Sequence, residues 1–90
     1  MTYRVLGAIE AEVKRAHSVY GGPASTQEAL GVMSEEFDEL KEAIRANDRD
    51  AIYLEAIQVA SAAYRLAWEC MNGSDRFLER SGLVEKVVAE

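Results

Sequence analysis

Apolar residues recur along this chain in steps of three and four, and clusters of glycine, proline, asparagine and aspartate break the pattern into segments. Val5, Leu6, Ile9, Val13 and Ala16 form one such stripe and predict a helix from about Thr2 to Ser18. Tyr20-Gly21-Gly22-Pro23 ends it, because glycine favours non-helical backbone and proline biases its predecessor toward extended conformations. Ser25 and Glu28 have the spacing of a capping box, so a second helix starts there and runs to about Ala46. Its apolar residues Leu30, Met33, Phe37, Leu40 and Ile44 are spaced like a bundle seam. Asn47-Asp48-Arg49-Asp50 is a polar turn with N-cap candidates, after which a third helix runs to about Met71. So short a connection makes helices two and three antiparallel neighbours. Helix three carries two stripes, one with Ile52, Val59, Ala63, Leu66 and Cys70, the other with Tyr53, Ile57, Ala60, Tyr64 and Trp68. A helix apolar on both sides is central to its bundle or shared with a partner chain, and the partner is the reading preferred here. Asn72-Gly73-Ser74-Asp75 forms the next turn, and a last helix from about Asp75 to Ala89 is interrupted near Ser81-Gly82.

The expected architecture is therefore all-α, one domain over residues 1–90, a four- to five-helix bundle of antiparallel helices. A chain of 90 residues buries only about 60% of its unfolded surface, so its core is thin and a homodimer or homotetramer is expected to complete it. Sixteen acidic residues against ten basic ones give a net charge of −6, which repels polyphosphate backbones and anionic lipid, so neither direct nucleic-acid binding nor a membrane partner is expected. The single Cys70 excludes an intrachain disulfide and no zinc-ligand spacing occurs, which makes a reducing cytoplasm the expected compartment. The N-terminal stretch carries Arg4, Glu10 and Glu12 within its apolar pattern, unlike a signal peptide.

The charge is not spread evenly. Residues 28–42 hold Glu28, Glu35, Glu36, Asp38, Glu39 and Glu42 against the single base Lys41, a local balance of −5 out of −6. An acidic run is ordinarily a solvated helix face, but its phase argues otherwise here. With Leu40 at zero, Glu36 falls at about −40°, among the apolar positions, and Glu39 at about −100°, at their edge. Helix three repeats the anomaly: relative to Val59, Glu55 lies at about −40° and Gln58 at about −100°. Glu36/Glu39 and Glu55/Gln58 are both i, i+3 pairs, which antiparallel packing can bring together. Four convergent oxygen donors suit a hard divalent cation such as Mg²⁺, with Mn²⁺ an alternative, since a carboxylate in an apolar seam is costly unless paired, protonated or metal-bound.

Glu35-Glu36-Phe37-Asp38-Glu39, followed by Glu55-Ala56-Ile57-Gln58, resembles the E-E-x-x-E … E-x-x-D signature of MazG-like all-α nucleoside triphosphate pyrophosphohydrolases. The likeness covers roughly Ala16 to Cys70, including the Tyr-Gly-Gly-Pro turn. It implies Mg²⁺-dependent cleavage of a nucleoside triphosphate between its α- and β-phosphates, giving the monophosphate and pyrophosphate. By motif position, Glu36, Glu39, Glu55 and Gln58 would hold metal, and Glu35 would act at the catalytic step, helping bind metal or orient the attacking water. Gln58 stands where the family has an aspartate, which removes a charge while keeping an amide oxygen. That departure leaves a second class open, a catalytically silent MazG-like module acting in nucleotide or protein binding. The related phosphoribosyl-ATP pyrophosphatases share the length and acidic motifs, but the Gly31-Val32-Met33-Ser34 run fits them less well. Substrate-binding candidates are Arg65 and Lys14, as phosphate partners, and Tyr20, as a stacking surface beside the Gly-Gly-Pro turn. Trp68, Tyr53 and Tyr64 read as core or dimer contacts, His17 as a helix-end residue and Cys70 as a small buried one.

Overall fold

The computed structural model describes residues 3–83. It is all-helical, with α1 at Tyr3–Tyr20, α2 at Thr26–Arg45, α3 at Arg49–Asn72 and a short α4 at Asp75–Arg80. No helix among the described residues is long and apolar enough to cross a membrane. The expected continuation toward Ala89 lies outside the described residues. The break before it is as read, since Ser81 caps α4 and Gly82 adopts φ 69°.

Local chemistry sets each boundary. The α1 stripe ends where Gly21, at φ 73°, donates its amide to the His17 carbonyl at 2.8 Å, a left-handed conformation that costs glycine nothing. Ser25 caps α2 by accepting from the Glu28 amide at 3.1 Å. The reciprocal arm of the expected capping box reaches one residue further back, with Glu28 accepting from the Ala24 amide at 2.9 Å. The α2–α3 turn hinges on Asn47 at φ 54°: Asp48 N–H closes back to the Ala43 carbonyl at 3.2 Å in the Schellman manner. Asp48 then caps α3 through the Ala51 amide at 3.1 Å. Asp48→Ala is expected to lower stability by about 1 kcal/mol, seen as a Tm reduced by about 4–8 °C in a chain this size.

α3 packs against α2 most extensively and against α1 as well, so it is the middle element, with its two neighbours flanking it. Within one chain α3 is thus central, although residues of both its stripes stay exposed. α4 caps one end, where Ser81 Oγ accepts from the Thr26 amide at 2.9 Å and Phe77 is buried.

The seam on α2 is rotated from its expected position. Ala29 and Ala43 are its buried residues, with Met33 and Leu40 half-buried, whereas Leu30, Phe37 and Ile44 are 61%, 52% and 53% exposed. Small side chains let α2 lie close to α3, so contact is centred on the alanines and the larger apolar residues are left on the flank. The same holds elsewhere: Val5 and Leu6 of α1 are exposed, as are Ala63 and Cys70 from one α3 stripe and Tyr53, Tyr64 and Trp68 from the other. Cys70 is thus not the buried residue expected.

Candidate metal centre

The phase of Glu36 on α2 and of Glu55 on α3 turns both carboxyl groups into the α2–α3 contact, and both residues are half-buried. Glu39, one turn after Glu36, joins them from the exposed edge. One carboxylate oxygen from each of Glu36, Glu39 and Glu55 lies within 4.8 Å of the other two. Antiparallel packing from so short a turn puts Glu55 beside the Glu36/Glu39 pair.

Electrostatics records the crowding. Burial, and then repulsion from Glu39, Glu35 and Glu12, pushes the Glu36 carboxyl above the ordinary value of 4.5. Glu55 is raised too, first by its side-chain hydrogen bond with Glu39, then by burial and the charges of Glu39 and Glu36. Glu55 Oε2 is buried with no hydrogen-bond partner. An orphaned buried carboxylate oxygen is costly, and a cation held by all three glutamates would satisfy it while offsetting their repulsion. A hard, all-oxygen donor set of this kind fits Mg²⁺ or Mn²⁺.

Of the three, Glu36 also lines a cleft of about 410 Å³ between α1, α2 and α3, with Glu35, Gln58, Arg65 and Tyr20 among its other residues, whereas Glu39 and Glu55 lie outside that lining. Glu35 is exposed at the rim, close enough to Glu36 to repel it. Gln58 is half-buried and lines the cleft together with Glu12 of α1. Arg65 donates from Nη2 to the Gly21 carbonyl at 2.6 Å, while its Nε is buried with no partner. Tyr20 is exposed beside the turn. Lys14 is not brought to this site: it pairs with Glu10 at 3.8 Å and lines a separate groove between α1 and α3.

No family model, curated protein or solved structure matches this chain. The site's own geometry therefore carries the functional argument.

Glu12 is the member not found from the sequence. It projects from α1 into the cleft, its side chain only 14% exposed, and accepts from Arg15 through both guanidinium nitrogens Nε and Nη2. The Arg15 bond, followed by that of Gln58, holds its carboxyl below 4.5 despite burial. Its signal was present: Glu12 lies three residues after Ile9 and four before Ala16, on the inward face of α1.

Proposed function

We propose that the protein is a Mg²⁺-dependent nucleoside triphosphate pyrophosphohydrolase, cleaving between the α- and β-phosphates to release the monophosphate and pyrophosphate. The observation carrying this reading is the triad Glu36, Glu39 and Glu55, three carboxylate oxygens within 4.8 Å of one another with Glu55 Oε2 unpartnered. It supports the resemblance of the Glu35-Glu36-x-x-Glu39 and Glu55-x-x-Gln58 motifs to the MazG-like enzymes. Mg²⁺, or Mn²⁺ in its place, would be held by these three glutamates with Gln58 as a neutral oxygen donor, and would supply charge neutralisation at the phosphates and acidify a bound water.

The chain's own groups have distinct parts. Glu35, exposed at the rim, accepts a proton from the attacking water or orients it. Arg65, anchored to the Gly21 carbonyl, has Nε free to meet a phosphate oxygen at the cleft floor. Tyr20 offers a ring to a nucleobase at the cleft mouth. Glu12, beside Gln58 in the cleft, is held ionised by Arg15. The working assembly is a homodimer or homotetramer in the cytoplasm.

The direct test is pyrophosphate release from a panel of ribo- and deoxyribonucleoside triphosphates with Mg²⁺ or Mn²⁺. Turnover with at least one nucleotide, absent in EDTA, is expected. Gln58→Asp restores a fourth negative ligand and is expected to tighten Mg²⁺ on the order of tenfold, since ligand charge count tunes cation affinity. Wild type inert at every metal concentration, with turnover appearing only in Gln58→Asp, would favour the catalytically silent module instead.

A further inference from the structure

Lys14 and Arg15 are neighbours in sequence, and α1 sends them to different places. Lys14 lines the groove between α1 and α3, and its partner Glu10 is an exposed carboxylate 3.8 Å away, the two side chains being 76% and 70% exposed. That is an ordinary surface pair, worth little. Glu12, Arg15 and Ala16 follow the i, i+3, i+4 spacing of one helix face, and all three line the acidic cleft. The pairing of Arg15 is built differently: the carboxylate is the inner member, its side chain only 14% exposed, and the guanidinium is the outer one at 53%.

The contact also selects one edge of the guanidinium. Nε donates to Oε1 of Glu12 at 2.9 Å and Nη2 donates to Oε2, a side-on fork. The end-on edge, with one N–H from Nη1 and one from Nη2, is a second fork, spaced for two oxygens of one phosphate. An arginine already fixed by its first fork has given up rotamer freedom before a ligand arrives, so less is lost on binding.

The charge balance of the cleft gives that edge its use. The lining holds the carboxylates of Glu12, Glu28, Glu35 and Glu36, and its only cations are Arg15 on α1 and Arg65 on α3. A triphosphate entering with one divalent cation keeps a net negative charge, which these two arginines are placed to oppose. Both are held by protein acceptors, Arg15 by Glu12 and Arg65 by the Gly21 carbonyl.

We propose that Arg15 is a polyphosphate-binding residue of the cleft, with Glu12 as its positioning residue, and that it takes the phosphate-contact role the sequence suggested for Lys14. The inference rests on the polyphosphate ligand of the proposed function, and not on its hydrolysis.

Calorimetric titration of the full chain with inorganic tripolyphosphate and Mg²⁺ tests it, beside pyrophosphate release from nucleotides. Arg15→Ala is expected to weaken tripolyphosphate by about tenfold to a hundredfold, the loss of a charged hydrogen-bonded contact, while Lys14→Ala binds as wild type does. Mg²⁺ titrated alone is expected to bind Arg15→Ala at least as tightly as wild type, a readout that general damage to the cleft would move the other way. Should Arg15→Ala fail to fold, Arg15→Lys keeps a charge beside Glu12 without the fork and is expected to bind several-fold more weakly than wild type. In a Glu12→Gln background, Arg15→Ala is expected to cost less than in wild type, because an unanchored arginine presents its edge only part of the time; an equal cost overturns the part given to Glu12. Tripolyphosphate binding absent from wild type, or unchanged in Arg15→Ala or in Arg15→Lys, would overturn the role of Arg15. Unchanged binding in a protein that still releases pyrophosphate would leave the proposed activity standing. Binding through Arg15 without pyrophosphate release would keep the role and remove the activity.

Discussion

Glu36→Gln is expected to lower Mg²⁺-dependent pyrophosphate release on the order of a thousandfold, as befits loss of charge stabilisation directed at a transition state. Glu36 is the inward member of its pair, half-buried, and its carboxyl interacts with Glu35, Glu39 and Glu12. Glutamine keeps the shape and one acceptor oxygen, so the fold persists while the charge opposing a cation disappears. Combined with Gln58, the substitution leaves Glu39 and Glu55 as the only charged ligands. The loss should appear in kcat/KM at saturating Mg²⁺, and in a Mg²⁺ requirement moved to higher concentration. Glu35→Gln provides the comparison. Glu35 stands at the rim and outside the triad, so a smaller loss is expected, on the order of tenfold to a hundredfold for removal of an acid–base or water-orienting group. Glu36→Gln turning over within a few-fold of wild type would exclude the triad as the catalytic centre.

The sites of Glu36 and Glu55 were legible because each is a charge set inside an apolar sector of its own helix, a conflict that sequence phase exposes. The turn at Asn47-Asp48 then allowed only antiparallel packing, which put the two conflicts side by side. Glu12 obeyed the same rule on α1 and was passed over, since it has no second acid at i, i+3 to mark it and its i+3 neighbour is the base Arg15. Lys14 and Arg15 show the limit of adjacency: residues one apart on a helix differ by about 100°, so Arg15 reaches Glu12 while Lys14 faces the opposite groove. The α2 seam failed for another reason. A stripe as broad as Leu30, Met33, Phe37, Leu40 and Ile44 fixes the apolar side but not its centre, and alanine weighs little in a periodicity although it permits the closest contact. Ala29 and Ala43 decide the rotation, and the larger residues are left uncovered.

In metal-free buffer the protein is expected to lose stability as pH rises above about 4.5, and to regain it when Mg²⁺ is added at neutral pH. The folded-state carboxyls of Glu36 and Glu55 lie above the ordinary value of 4.5. A carboxyl raised on folding contributes fully below its unfolded pKa, and that contribution is lost as pH climbs through the folded one. Glu12 acts with the opposite sign, because Arg15 holds its carboxyl low, and its contribution disappears only as pH falls below 4.5. The two effects therefore occupy different windows, the triad on the neutral side and Glu12 on the acid side. Mg²⁺ binding to the folded chain reverses the triad's penalty by mass action. A Kd of about 1 mM would return about 1.4 kcal/mol at about 10 mM cation, or about 6–11 °C in Tm for a domain of this size. Glu55→Gln separates this from general screening. It removes the most constrained charge, so the metal-free variant should melt above wild type at pH 7.5 and respond little to Mg²⁺, a gain in stability obtained by dismantling a functional site. Melting curves between pH 5 and 8, with NaCl matched to the ionic strength of the MgCl₂ samples, make the comparison. A flat metal-free profile for wild type, or a Mg²⁺ response equal to that of NaCl, would mean that the three glutamates are solvated acids with no cation between them.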